Sequence, residues 1–282
     1  MITMITNEAF LAELQAAIKD NSIVLPTLPE VALQVRDAVE RDETTAQDIA
    51  NLVATDVALS ARLLQVANSP LYGGRVAIDS VQLAITRLGI RMVRTLVVNL
   101  AMKQIFQPTT SELDQRLRQL WEESVQVAAL SRVLAQQASH LDRDQAMLAG
   151  LIHNIGSLPI LIMAENFPKL IRDEEQLDSL LAELAPVIGH QILQTWNFPD
   201  TLVAVPTHCT DLKYDSGEQA DYVDLVQVAT LECNTGAARR ANPAECALAP
   251  AYSKIGLNPE EPVIEIEGVA EQIEEVEQLF VI

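Results

Sequence analysis

Apolar residues recur at intervals of three and four positions along almost the whole chain. This spacing places them on one face of a helix that has 3.6 residues per turn. Alternating apolar and polar runs joined by Asn-Gly or Asp-Gly turns, which are typical of β-hairpins, are nearly absent. The pattern therefore predicts an all-α protein.

The N-terminal part is predicted to begin with a helix over residues 8–19. The segment LPTLPE at 25–30 predicts an extended connection, because each proline disfavours helical backbone in the residue before it. Proline is favourable in the first turn of a helix, so we expect the second helix to begin near Pro29.

Side chains that can accept hydrogen bonds from first-turn amides predict where the next helices begin. Thr45 is expected to cap AQDIANLVA, and Thr55 or Asp56 to cap VALSARLLQVAN. Asp79 is expected to cap a short helix that ends at Gly89, a residue able to adopt positive φ at a helix end.

The segment QPTTSE at 107–112 is the clearest predicted boundary, since it combines proline with cap-forming residues between two long apolar-patterned helices. We expect a helix of about 25 residues through Trp121 and another from Asp142 to about Ile155. Residues 213–221 are polar and predict a loop. A final helix is expected over residues 268–280.

The chain carries 19 Lys and Arg against 39 Asp and Glu, a formal net charge of −20. Such a charge repels polyanions at long range, so the sequence argues against generic binding to nucleic acid or to anionic membranes.

The three cysteines, Cys209, Cys233 and Cys246, are odd in number, lack CxxC spacing and accompany no secretory signal. A reducing, cytoplasmic location is therefore expected. The most apolar segment, AGLIHNIGSLPILIMA, is interrupted by His, Asn, Gly and Pro and is shorter than the roughly 20 residues that cross a bilayer. We expect no membrane span.

Six segments follow one another over about 190 residues: LPTLPEVALQV at 25–35, IANLVATDVALSARLLQVANSPLYG at 49–73, IDSVQLAITRLGIRMVRTLVV at 78–98, then LWEES, AGLIHNIG, and TWNFP at 195–199. Together they resemble the HDOD family, which is related to the HD superfamily of metal-dependent phosphohydrolases.

This resemblance implies a multi-helical HDOD domain over residues 18–212. An N-terminal helical subdomain would extend to about residue 108, and an HD-like helical subdomain would begin at about residue 109. Residues 213–282 would form a C-terminal helical extension that packs on the HD-like subdomain.

The resemblance also locates a degenerate metal site. Catalytic HD proteins hold metal with a histidine, then an adjacent His-Asp pair, then a distant aspartate, and the metal activates water for phosphoester hydrolysis. In this chain Glu123 in LWEES stands at the first position, His153-Asn154 at the pair, and Thr230 near the last. Asn154 offers a neutral carbonyl oxygen in place of a carboxylate.

His208 lies where the family often has a histidine, whereas Ala185 occupies another such position. A mononuclear zinc, iron or manganese site built from Glu123, His153 and His208 is chemically possible. The other interpretation is that His153 and Asn154 make hydrogen bonds inside a helical core.

We expect no cofactor, no bound metal and no catalytic residue. The sequence contains no P-loop, GxSxG or dinucleotide-binding glycine pattern.

Two further features are candidates for a binding surface. Arg87, Arg91 and Arg94 are spaced to lie on one helical face, where they would receive a carboxylate or phosphate group or make internal salt bridges. Asn68 and Tyr72 belong to the segment NSPLYGG, and each has either a structural role or a direct contact with a ligand. Asn68 is expected to end a helix, and the ring of Tyr72 is expected to contact the neighbouring lobe.

The resemblance implies a non-catalytic signalling or regulatory module of bacterial type that binds a protein partner or a small, nucleotide-like signal molecule. The alternative is a metal-dependent phosphohydrolase that acts on a nucleotide or another phosphoester through a site around His153.

Overall fold

The computed structural model describes residues 6–20, 26, 29–39, 44–73, 76–106, 111–233 and 240–280. Within these ranges the chain is helical and contains no β-strand, which confirms the predicted all-α class.

Six helices lie in the described part of the chain up to residue 106, and we call them the N-terminal lobe. They are α1 (Asn7–Lys19), α2 (Glu30–Val39), α3 (Ala46–Val53), α4 (Val57–Asn68), α5 (Val81–Leu88) and α6 (Ile90–Ile105). Residues 25, 27 and 28, half of the predicted connection at 25–30, lie outside the described residues. Buried apolar side chains of α2 and α6 face each other and form the centre of this lobe.

Side-chain caps determine where several of these helices begin. Thr45 and Asp48 form a capping box at α3, and Asp56 accepts a hydrogen bond from the amide of Leu59 at α4. At α5 the prediction of Asp79 was wrong, because the Ser80 hydroxyl accepts from the third amide of that helix. Gly89 has a φ of 83°, which allows α5 to end and α6 to begin at the same residue.

Eight helices follow within the described residues, and we call them the HD-like lobe after the family resemblance of the sequence. They are α7 (Ser111–Leu134), α8 (Arg143–Ile152), α9 (Ser157–Ala164), α10 (Pro168–Arg172), α11 (Glu174–Thr195), α12 (Asp200–Val203), α13 (Val205–His208) and α14 (Tyr222–Glu232). The predicted boundary at 107–112 falls mostly on residues 107–110, which lie outside the described residues. Helix α8 is held close to α7, because a Cβ on Gly150 would lie 2.5 Å from the Cα of Ala128.

The C-terminal segment packs on this lobe. It contains α15 (Pro243–Cys246), α16 (Ala251–Ile255), the 3₁₀ turn η1 (Val263–Glu265) and α17 (Val269–Glu277), with α16 against α14 and α17 against α7. The buried carboxylate of Glu232 accepts hydrogen bonds from Arg240, from the hydroxyl of Tyr252 and from the amide of Val263. These bonds tie the segment to the end of α14.

The stretch Arg143–Ala164 is long and apolar enough, by length and composition alone, to cross a bilayer, and 89% of its most apolar window is buried inside the protein. Burial of this kind is expected of the central helices of a packed core. The stretch also bends at residues 153–156, where the turn between α8 and α9 forms part of a cavity.

Candidate functional site

A cavity of about 450 Å³ opens between α7, the turn joining α8 to α9, and helices α11, α13 and α14. It brings together Glu123, His153, Asn154 and Thr230, which are four of the five residues that the sequence assigned to a degenerate metal site. Its apolar walls are formed by Leu120, Leu161, Leu181, Ala182, Pro186 and Pro206. We call this cavity the HD-like pocket.

His153 forms part of the cavity floor and is only 7% exposed. Its Nδ1 lies 2.7 Å from the carbonyl oxygen of Gly150. Because a carbonyl only accepts, Nδ1 carries the proton and Nε2 is the nitrogen with a free lone pair. Burial lowers the pKa of His153 below its ordinary value, although the nearby carboxylate of Glu123 opposes this shift.

Asn154 provides a polar group beside this imidazole. Its Oδ1 accepts a hydrogen bond from the Ser124 hydroxyl at 3.0 Å. Its Nδ2 is buried and has no hydrogen-bond partner among the described residues. On α14 the Thr230 hydroxyl donates to the carbonyl of Val226 at 2.8 Å, so its own oxygen remains available as an acceptor. The floor of the cavity thus offers a ligand both hydrogen-bond donors and hydrogen-bond acceptors.

On one side of the cavity, the backbone of α11 lies very close to the turn between α8 and α9. A Cβ built on Gly156 would lie 2.0 Å from the carbonyl oxygen of Ala185. Real side chains do not tolerate such a distance, so glycine is required where this turn meets α11. Ala185 lines the cavity here, at a position where the family resemblance implies a histidine.

Arg116 and Asp178 also line the cavity, and they join α7 to α11 by a salt bridge of 3.1 Å. Together with Glu123 they give the lining one basic and two acidic residues, while the imidazole of His153 is neutral near pH 7. A phosphate group entering the cavity would therefore find a single guanidinium, already paired, and an opposing carboxylate.

His208 is not among the cavity-lining residues. It lies at the end of α13 and stacks on the ring of Tyr214 with a centroid distance of 5.0 Å. Its neighbour Cys209 does line the cavity, and burial raises the pKa of that thiol to about 12. The thiol is protonated at neutral pH and is a poor nucleophile. Among the described residues no three His, Cys, Asp or Glu side chains gather in a way that could hold a metal ion.

The residues predicted to form a binding surface lie in different parts of the structure. Arg87 donates to the backbone carbonyls of Ala67 and Val76, and Asn68 bridges the backbone of Ile78 through both of its amide atoms. Both residues therefore hold the turn between α4 and α5. Arg91 and Arg94 instead line a second cleft, of about 510 Å³.

Tyr72 connects the two lobes. Its hydroxyl donates to Asp144 at the start of α8, and Arg132 of α7 donates to the same carboxylate at 3.2 Å. The guanidinium of Arg132 also lies over the Tyr72 ring, 5.4 Å from its centroid. Burial, reinforced by the Asp144 carboxylate, raises the pKa of Tyr72, so its hydroxyl keeps its proton and remains a donor.

Sequence reasoning did not identify Asp144 or Arg132 in this role, nor Arg116 and Asp178 at the cavity. Tyr72 and Asp144 are 72 positions apart, and Arg116 and Asp178 are 62 apart. No local spacing indicates such pairs. An aspartate near the start of one helix and an arginine within another give no indication of their partners.

The buried imidazole makes a testable contribution to the pH dependence of stability. Because the folded-state pKa of His153 is lowered, the unfolded chain binds an extra proton as the pH falls through about 6.5, the ordinary value. We predict that the free energy of unfolding decreases between about pH 7.5 and about pH 5.5, and that His153→Gln makes this decrease smaller.

Urea unfolding at both pH values measures this effect. His190→Gln is the matched control, since His190 lies on α11, is half-buried and does not line the cavity. Equal pH dependence in the wild type and in His153→Gln would contradict the prediction.

The all-α architecture and the pocket at the α8–α9 turn define an HD-like helical protein. The model of the HDOD domain matches residues 25–211, and the chain belongs to the HDOD family. This confirms the family that the sequence motifs indicated.

Solved structures of bacterial proteins share the fold. One from Shewanella amazonensis SB2B, described as a candidate metal-dependent phosphohydrolase, is 28% identical with a TM-score of 0.81, covering 97% of this chain and 99% of its own. An HDOD domain protein of unknown function from Geobacter sulfurreducens is 21% identical with a TM-score of 0.70, covering 96% of this chain and 99% of its own.

A protein of Marinobacter aquaeolei VT8, described as a candidate signal transduction protein, is 21% identical with a TM-score of 0.66, covering 99% of this chain and 67% of its own. An uncharacterised protein of Treponema pallidum (strain Nichols) is 26% identical over 208 residues, which are 68% of this chain. The match spans only 38% of that relative's length.

Proposed function

We propose that this chain is a non-catalytic HDOD signalling or regulatory module whose HD-like pocket binds a small signal molecule and passes the signal to a protein partner. The observation that carries the proposal is the composition of the pocket floor. The cavity is present, but its polar groups are Glu123, His153, Asn154 and Thr230, where metal-dependent hydrolysis needs a denser set of histidines and carboxylates.

The residues present do not fit a hydrolytic metal centre. A catalytic zinc normally has three protein ligands and an open position. The cavity offers Nε2 of His153 and the carboxylate of Glu123 as strong metal ligands, because the carboxylate of Asp178 is already paired with Arg116. Asn154 and Thr230 are neutral and weak ligands for a divalent cation at neutral pH.

The same cavity has the properties of a small-molecule site. Ligand pockets are typically concave, largely apolar and provided with a few convergent polar groups. Apolar residues from α7, α9, α11 and α13 form the walls, and the unpartnered Nδ2 of Asn154 offers a ligand a buried donor. The lining contains one basic and two acidic residues. It is therefore better suited to a ligand that is neutral or carries several hydrogen-bond donors than to a phosphate.

The second candidate function is a metal-dependent phosphohydrolase. The observation that favours it is the extended similarity, over 97% of this chain, to the Shewanella protein described in those terms. Such an enzyme would have to use Glu123 and His153 with zinc, iron or manganese, and its substrate would be a nucleotide or another phosphoester.

Metal content and turnover separate the two functions. After exposure to zinc, iron and manganese and removal of free metal, we expect less than stoichiometric metal by elemental analysis and no hydrolysis of phosphomonoesters or phosphodiesters above background. His153→Ala should change neither quantity. His190→Ala is the control for the loss of an imidazole outside the cavity. Stoichiometric metal that is lost only in His153→Ala, together with turnover, would establish the enzyme instead.

A further inference from the structure

The second cleft lies between the two lobes, at a distance from the HD-like pocket. One wall is α6, which contributes Arg91, Met92 and Arg94. The facing wall belongs to the HD-like lobe and includes Asp142 and Asp144 at the start of α8. The volume of about 510 Å³ is within the range of small-molecule sites, which often lie between lobes.

The α6 wall is basic. Arg91 and Arg94 are three positions apart and therefore lie on the same side of α6. Arg91 is exposed, and its guanidinium makes no hydrogen bond or ion pair within the described part of the chain. Arg94 is half-buried in the same wall. A guanidinium in a concave site is suited to a carboxylate or phosphate oxygen, because it donates two parallel hydrogen bonds.

The opposite wall is acidic, and its two carboxylates already accept hydrogen bonds from other groups of the protein. Asp142 uses Oδ1 to accept the amides of Asp144 and Gln145, and its Oδ2 has no hydrogen bond within the described ranges. Asp144 uses Oδ1 for Tyr72 and Arg132. Each carboxylate therefore has one oxygen still able to accept an N–H group.

The polar side chains of Tyr222 and His140 also line the cleft. The Tyr222 hydroxyl accepts the amide of Asp142 at 3.1 Å and retains its own proton for donation. His140 donates from Nε2 to the carbonyl of Ala220 at 2.8 Å. The cleft thus offers donors on one side and acceptors on the other, and a bare polyanion would meet the two aspartates.

We propose that this inter-lobe cleft binds a small organic acid, either a phosphate monoester or a carboxylate, that also carries an amine. Arg91 receives the acidic group beside the positive charge of Arg94, and Asp142 receives the amine. The site shares no residue with the HD-like pocket, so it goes beyond the function proposed for that pocket.

Methyl NMR of the protein labelled with ¹³C-methyl methionine tests this directly, since the partly buried Met92 lines the cleft. The probes are phosphoethanolamine, γ-aminobutyrate, ethanolamine and inorganic phosphate. We expect the Met92 methyl signal, assigned with Met92→Leu, to shift saturably with one or both amine-bearing acids. Ethanolamine, which lacks an acid, should leave it unchanged, and inorganic phosphate should bind more weakly.

Three variants locate the contacts. Arg91→Gln should weaken binding by about 10-fold or more, as loss of a charge-assisted hydrogen bond requires. Arg143→Gln removes the same charge from an exposed residue beside the cleft that does not line it, and should leave affinity unchanged. Asp142→Asn preserves helix capping and should abolish the preference for the amine-bearing acid over inorganic phosphate.

The response to phosphoethanolamine and to γ-aminobutyrate distinguishes a phosphate ligand from a carboxylate ligand. The proposal is overturned if neither acid shifts Met92 at millimolar concentration, or if Arg143→Gln weakens binding as much as Arg91→Gln. It is also overturned if Asn154→Leu, in the HD-like pocket, removes the shift. Failure here would leave the proposed function of that pocket unaffected, because its test measures metal content and turnover.

Discussion

Replacing Asp144 with alanine is expected to lower the free energy of unfolding by about 3–5 kcal/mol, the cost of removing one partner from a buried ion pair. The carboxylate is 6% exposed and the Arg132 side chain 10%. Without Asp144 the guanidinium remains buried with no counter-charge, and the Tyr72 hydroxyl loses its acceptor. Urea or thermal unfolding followed by circular dichroism measures the change.

A surface ion pair provides the matched control for this prediction. Asp114 and Arg118 form an i,i+4 pair in α7, and the Arg118 side chain is 70% exposed. Asp114→Ala should therefore change stability very little, because solvent screens such pairs. Combining Asp144→Leu with Arg132→Met, which removes both charges, should recover part of the lost stability. Equal effects of Asp144→Ala and Asp114→Ala would show that the junction between the lobes does not depend on this pair.

The second large effect is expected from Gly156→Ala. The new Cβ would meet the backbone carbonyl of Ala185 and the backbone amide of Gly189, at 2.0 and 2.5 Å. Because both obstacles are main-chain atoms, α11 must move as a unit or the turn must open. We expect destabilisation of about 3 kcal/mol or more, at the upper end of overpacking effects. Unfolding by urea, with proteolysis as a second measure of local opening, tests this.

Gly217→Ala is the comparison. Gly217 has a φ of 102° in an exposed loop, and a Cβ there would have no neighbour within 4 Å. Its replacement costs only backbone strain, about 1–2 kcal/mol. If Gly156→Ala were no more harmful than Gly217→Ala, the close approach of the α8–α9 turn to α11 would not be a constraint in solution.

Local features of the fold were predictable from the sequence. Apolar spacing and capping residues identified α3 and α4 with their starts, because a cap lies within three residues of the amide it serves. The error at α5 was of one position, Ser80 in place of Asp79, since either side chain can cap and only the path of the chain decides between them.

The candidate site was predictable to the extent that the family motifs carry it. Glu123, His153, Asn154 and Thr230 meet in one cavity, although they come from three different parts of the chain. His208 was misplaced into this group, because residues at a helix end change direction by about 100° from one to the next and a motif does not fix the rotation.

Contacts between the lobes were not predictable. The Tyr72–Asp144–Arg132 cluster depends on how the turn after α4 meets α7 and α8, and the chemistry of tyrosine, aspartate and arginine allows many other pairings. The roles of the three arginines at 87, 91 and 94 could not be predicted either, because an arginine can bind a ligand or hold its own backbone. Only the three-dimensional arrangement separates Arg87, which holds a turn, from Arg91 and Arg94, which line a cleft.

Helix α8 is a short, stiff rod with a cavity at each end. Asp144 lies in its first turn at the inter-lobe cleft, and His153 follows its last residue at the HD-like pocket, a separation of about 14 Å along the axis. Its flank is pressed against α7 at Gly150, which leaves little room for bending. An intact α-helix keeps its rise per residue, so the two cavities are joined by one rigid element that fixes the distance between them.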